Sequence, residues 1–120
     1  MSKRTLVIGA SENPERYSFK AINALRNHGH DVHALAKRAG QVADVNIQTQ
    51  FPKVEEIDTV TLYVGFQRQP EYYAQIINLK PKRVIFNPGT ENAEFYSLLE
   101  EKGIEAEAAC TLVLLSIGNY

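Results

Sequence analysis

One cysteine, Cys110, stands alone in 120 residues. A single thiol excludes an internal disulfide and a cysteine-based zinc site, and it fits a reducing compartment. An excess of either charge is missing too. Thirteen basic and fourteen acidic side chains leave a formal net charge of −1. A general nucleic-acid binder would carry a basic excess on one face. Tyr72, Tyr73, Phe95 and Tyr96 do not form the spaced aromatic platform that single strands need. Long apolar runs are absent. The longest late one, ACTLVLLSIG, is interrupted by Thr and Ser and falls short of a membrane span. Lys3 and Arg4 precede only a short apolar run that ends in charged residues, so no secretory signal is expected. Repeats and low-complexity segments are also missing. The chain reads as a soluble, cytoplasmic protein with no nucleic-acid or membrane partner. It forms one domain over residues 1–120, large enough to bury a core without staples.

What is present is an alternation. RTLVIG at 4–9 is a continuous β-branched run closed by Gly9, the pattern of a strand buried on both faces. After Pro14 the period changes: Ser18, Ala21, Ile22 and Leu25 share one face of a helix, and Gly29 marks its end. DVHALA at 31–36 gives a second strand. Residues 37–56 are polar and irregular, a loop with one short strand near Val45–Ile47. TVTLYV at 59–64 is a strand. Tyr73, Ile76 and Ile77 follow Pro70 at helical spacing, stopping before Pro81. RVIF at 83–86 is a strand, followed by the turn Asn87-Pro88-Gly89 and a helix with Phe95, Leu98 and Leu99 on one face. Gly103 ends that helix; a short strand at 104–107 and an apolar tail at 111–117 complete the chain. Strands alternating with amphipathic helices imply a parallel sheet with right-handed crossovers and helices on both faces. Such sheets bind ligands beyond the carboxyl ends of their strands. The candidate loops are 9–17, 36–43, 65–70 and 87–92.

The first loop carries parts that suit an anion. Gly9 permits a positive φ and a close backbone approach. Ser11 offers a hydroxyl, Pro14 restricts the entry to the helix, and Arg16 and Ser18 lie at its first turn, where amides and the helix dipole face a ligand. The dinucleotide pattern G-x-G-x-x-G is not there, because position 11 is Ser and position 14 is Pro. A plain strand-to-helix turn fits these residues as well. After the second strand, where an acidic residue would take a bare ribose, the chain has Ala36-Lys37-Arg38. Arginine can fork two hydrogen bonds to a phosphate and lysine adds a point charge. The pair suits a phosphorylated ribose, as in NADP or coenzyme A, or it is simply two solvated charges.

The ordered pieces G9-A10-S11-x-x-P14-x-R16-x-S18, L25-x-x-x-G29-H30-x-V32 and G40-Q41 resemble the small stand-alone CoA-binding proteins. These are related to the CoA-binding domain of succinyl-CoA synthetase. D58-x-V60, P70, G89-x-x-N92, G103-I104 and C110 continue the match over nearly the whole chain. The resemblance implies a Rossmann-like three-layer sandwich with a parallel sheet of about five strands. It implies a CoA phosphate side lined by Gly9, Ala10, Ser11, Arg16 and Ser18. The Lys37 region would meet the adenosine, and Gly65-Phe66-Gln67 with Asn87-Pro88-Gly89 would face the pantetheine. Two departures stand out. The family's usual Asn-Pro-Lys is replaced by Ala36-Lys37-Arg38, and its acidic tail after the cysteine by Thr111–Leu115. The synthetase's phospho-histidine belongs to another domain, so the resemblance implies binding and not ligase chemistry.

Signals for catalysis are sparse. Ser11 sits in Gly9-Ala10-Ser11-Glu12-Asn13, which is not the hydrolase elbow G-x-S-x-G. His28, His30 and His33 lack a completing acid other than Asp31. Cys110 reads as a small buried hydrophobe or as a thiol near a CoA sulfur. Glu55, Glu56, Asp58, Glu100 and Glu101 read as solvated charges without a convergent acid–base pair. The leading expectation is a non-catalytic module for CoA or an acyl-CoA. The alternatives are an NADP-binding subunit or reductase-like protein, and a degenerate nucleotide fold that binds a protein. A homo-oligomer or a partner subunit is compatible with each.

Overall fold

Residues 2–120 are described by the computed structural model. In chain order the elements are β1 (Thr5–Ile8), α1 (Tyr17–Asn27), β2 (Val32–Leu35), β3 (Gly40–Val42), β4 (Val45–Gln48) and β5 (Thr59–Leu62). A 3₁₀ segment, Phe66–Tyr72, then runs into α2 (Tyr73–Leu79). It is followed by β6 (Arg83–Phe86), α3 (Ala93–Glu101), β7 (Glu105–Ala108) and α4 (Thr111–Ser116). One sheet carries all seven strands in the order β3-β4-β2-β1-β5-β6-β7. Every pairing is parallel except the β3–β4 hairpin at one edge. The architecture is the expected Rossmann-like α/β sandwich.

Alternation along the strands sorts the core into two layers. Leu6, Ile8, Val60, Leu62, Val84 and Phe86 face one side, where Tyr72, Ile76, Phe95 and Leu99 from α2, α3 and the 3₁₀ segment cover them. Val7, Ala34 and Ile85 face the other, beneath Ile22 and Leu25 of α1 and Leu115 of α4. Leu6, Val7 and Ile8 are fully buried, which is why β1 is a continuous apolar run and not an alternating one. All four stripe residues of α1, namely Ser18, Ala21, Ile22 and Leu25, are buried. At the end of α1 the His30 amide donates to the Leu25 carbonyl and the Gly29 amide to Arg26, a Schellman closure with Gly29 at φ +81°.

Two features depart from the sequence expectation. The sheet has seven strands, not about five, because the irregular stretch 37–56 contains a whole hairpin. Val42, Val45 and Ile47 are buried on one face, but the connecting residues Ala43-Asp44 carry no Asn-Gly signal. Ala43 adopts φ +53°, and Arg26 of α1 grips the Asp44 carboxylate at 2.7 and 2.9 Å. The apolar tail is the second difference: it forms α4. The Thr111 amide donates to the buried Asn87 Oδ1 at 2.9 Å, which fixes where that helix begins. No helix among the described residues is long and apolar enough to cross a membrane.

Candidate functional site

From β1 the chain crosses to β2 on one side, while β5 lies on the other. The helices that follow leave by opposite faces, so a crevice opens at the carboxyl ends of β1 and β5. A cleft of about 820 Å³ occupies this point, within the ~300–1,000 Å³ common for small-molecule sites. Gly9, Ala10, Ser11, Arg16 and Ser18 line it from the first loop, Lys37 and Arg38 from the second, Gly65 from the third and Pro88 and Gly89 from the fourth. Four expected residues are not in its wall, Gln67 among them, which is exposed. Pro14 is exposed outside it, Phe66 is 54 % exposed, and Asn87 is turned inward. The Asn87 amide donates to Thr61 Oγ1 at 2.6 Å and to the Leu62 carbonyl at 2.9 Å. It ties β5, β6 and α4 together.

The glycine of the first loop answers to the sheet before it answers to a ligand. Gly9 has φ +92°, and a Cβ there would lie 2.8 Å from the carbonyl carbon and oxygen of Tyr63. The Gly9 and Ala10 amides both donate to the Leu35 carbonyl, at 2.9 and 3.2 Å. Those two N–H groups are therefore used within the fold. Ser11 Oγ accepts from the Asn13 amide at 3.0 Å, which leaves its own hydrogen free to donate. Asn13 in turn accepts from the Glu15 amide through its side chain and from the Arg16 amide through its carbonyl. These bonds shape the loop so that α1 starts at the cleft wall.

That helix start is open. Arg16 at the N-cap makes no side-chain cap, and the first turn holds no acid. The first N–H groups of a helix have no partner inside it, and together with the dipole they favour a negative group. Four cations, Arg16, Lys37, Arg38 and Arg68, face two carboxylates, Glu12 and Glu15, around the cleft. Glu12 is partly spent, since its carboxylate accepts the Gln41 amide at 2.9 Å. It packs so closely on Gly40 that a Cβ there would meet Glu12 Cδ at 2.4 Å. None of the three arginines has a carboxylate partner among the described residues. Lys37 does have one: its ammonium lies 3.1 Å from Glu71 Oε1.

The third and fourth loops are held by one amide that the sequence did not single out. Gln69 is 1 % exposed. Its Nε2 donates to the carbonyls of Val64 at 2.9 Å and Thr90 at 2.7 Å, and its Oε1 accepts from Asn92. Arg68, Tyr63, Tyr72 and Thr90 also line the cleft and were not read as site residues. Arg68 and Tyr72 come from the 3₁₀ segment, Tyr63 follows β5 and Thr90 lies in the turn after β6. Burial pushes the Tyr63 phenol up to about 12, and its hydroxyl has no hydrogen-bond partner among the described residues. Burial first, and the Glu71 carboxylate second, also raise the Tyr72 phenol. The histidines lie away from this end. His30 is buried and accepts the Lys3 amide at 2.9 Å, while His33 sits 3.5 Å from Asp31. Cys110 is half-buried at the start of α4.

The wall thus combines guanidinium groups, an open helix start and a hydroxyl with apolar patches at Ile47, Val64 and Tyr72. It suits an elongated, multiply charged ligand with an apolar portion.

Comparisons with known proteins bear on the fold and the family. A crystal structure of an uncharacterized protein is similar at 45 % identity and TM-score 0.97, with 100 % of this chain and 99 % of that one covered. A hypothetical protein from Pyrococcus horikoshii OT3 is 26 % identical with TM-score 0.85, covering 93 % of this chain and 80 % of its own. A Thermus thermophilus protein at 19 % identity and TM-score 0.86, covering 99 % and 91 %, shares the fold. No curated protein matches the sequence. The CoA binding domain model matches residues 3–116. With that match over most of its length, and with a cleft of this make-up at the switch point, the chain belongs to the CoA binding domain family.

Proposed function

We propose that the protein is a non-catalytic module that binds coenzyme A or an acyl-CoA in the cleft between β1 and β5. The phosphates lie against Ser11, Ser18 and the start of α1, with Arg16 closing on them. The phosphorylated ribose reaches Lys37 and Arg38. The pantetheine arm runs toward Gly65 and the Pro88-Gly89 turn. The observation that carries the reading is the set of three arginines without carboxylate partners around an uncapped helix start. Cations converging on one cleft repel each other, and an anion there relieves that repulsion. The donor set fits a ligand with several phosphate oxygens better than a neutral one.

Thermal shift with CoA, acetyl-CoA, NADP and NAD tests the reading. A ligand at a hundred times its Kd stabilises the native state by about 2.7 kcal/mol. Selective stabilisation by CoA species is expected. No shift at millimolar CoA would overturn the proposal. A shift with NADP alone would point to a dinucleotide-binding subunit, and none with any nucleotide to a protein-interaction module.

A further inference from the structure

We infer that Glu71 is an internal competitor for the ligand's ribose-bound phosphate: its carboxylate occupies Lys37 until that phosphate displaces it. The inference rests on the CoA reading above and deepens it. Lys37 follows β2 and Glu71 lies in the 3₁₀ segment after β5, so the pair spans two loops of the cleft. The ammonium is 3.1 Å from Glu71 Oε1 and 3.3 Å from Oε2, a contact to both oxygens of one acid.

Glu71 is not an idle rim charge. It lies between two anchored residues, Gln69 at 1 % exposure and Tyr72 at 9 %. Gln69 fixes the segment through the Val64 and Thr90 carbonyls, so the backbone that carries Glu71 is held beside Arg68 and Tyr72 of the cleft wall. Lys37 above all, then the Tyr72 hydroxyl, with Arg68 adding its charge, keeps this carboxylate below the usual range. A phosphate monoester carries more charge and more acceptor oxygens than a carboxylate. It can therefore take Lys37 from Glu71 while recruiting Arg38 and Arg68, which have no acid of their own. A ligand without the ribose phosphate has no group with which to displace Glu71. The acid then costs it nothing and the lysine gains it nothing. Glu71 thus sets how much the ribose phosphate contributes to affinity.

The test is isothermal titration of CoA and 3′-dephospho-CoA into the wild type, E71Q, K37M and the double variant at low ionic strength. E71Q should bind CoA about two- to five-fold tighter, the range expected for freeing an exposed pair. Its affinity for dephospho-CoA should not change. In the K37M background E71Q should bring no gain. Equal gains for both ligands, a gain that survives K37M, or no gain at all would each overturn the competitor role while leaving CoA binding intact. A wild type that binds neither CoA species would overturn the CoA reading itself. NADP and NAD form a parallel pair of arms. If the ribose phosphate belongs to a dinucleotide, the E71Q selectivity appears between those two instead, and the competitor role stands on that ligand.

Discussion

Replacing Gly9 with alanine separates what the fold demands from what a ligand demands. At φ +92° an L-residue pays about 1–2 kcal/mol for the backbone conformation alone. The added Cβ would also lie 2.8 Å from Tyr63 C and O and 3.1 Å from Val64 Cγ1. The Tyr63 amide is bonded to the Ile8 carbonyl at 2.8 Å, so this backbone cannot simply step aside. Overpacking of this kind adds roughly 1–3 kcal/mol. The sum, roughly 2–5 kcal/mol, is a large share of a small domain's stability. For a chain of this length about 1 kcal/mol corresponds to ~4 °C in Tm, which puts the loss at roughly 8–20 °C. Gly29→Ala is the internal reference. Gly29 has φ +81° but nothing within 4 Å of its Cβ position, so only the conformational part remains, roughly 4–8 °C. Differential scanning calorimetry of both variants without ligand decides it. If Gly9→Ala loses no more than Gly29→Ala, the close approach of β1 and β5 does not explain the glycine, and the ligand becomes its better explanation.

Further outcomes follow from other contacts. Arg38→Glu should weaken CoA several-fold more than 3′-dephospho-CoA in titration calorimetry; equal losses would remove Arg38 from the ribose-phosphate site. Gln69→Leu leaves the buried Val64 and Thr90 carbonyls without their donor. In urea denaturation it should cost about 2–4 kcal/mol, and a loss below about 1 would show that the loops hold without it. Tyr63→Phe removes a hydroxyl that has no hydrogen-bond partner among the described residues and should leave the urea midpoint unchanged or raised; a clear drop would reveal a partner for that hydroxyl. His30 is held below its ordinary 6.5, mainly by burial, with His28 and Lys3 adding repulsion. Its neutral form is favoured in the native state, so its contribution is full above 6.5 and is lost as pH falls through the lower folded value. Stability should therefore decline as pH falls below about 6.5, and His30→Asn should flatten the decline. An unchanged slope in that variant would assign it to other groups.

The order of elements was legible because strong periodicities carried it. β1 is buried on both faces and reads as an unbroken apolar run, and the α1 stripe reads at 3.6-residue spacing. Gly29 and Gly103 stand past their helices with positive φ, as their positions suggest. The strand expected near Val45–Ile47 is β4, but its hairpin partner β3 was hidden because it is three residues long and the turn between them lacks glycine. α4 was hidden because TLVLLS is apolar nearly all round, so it shows no face. The site was legible as loops but less so as side chains. The fold rule for open sheets locates the crevice, yet which residue faces it depends on backbone turns. Arg68 is turned into the cleft while Phe66, two positions earlier, is turned to solvent. Asn87 looked like a turn residue beside a ligand, but its short amide serves three backbone and side-chain partners inside the fold. The Lys37–Glu71 pair joins residues 34 apart in sequence, and no local pattern announces it.

The most direct test of the central claim is an amide chemical-shift map of the ¹⁵N-labelled protein titrated with CoA. The account expects saturable shifts concentrated in residues 11–19, 37–39, 63–72 and 89–90, with the β3–β4 turn and the β7 edge unmoved. Absence of shifts at millimolar CoA, or shifts centred away from the carboxyl ends of β1 and β5, would contradict it.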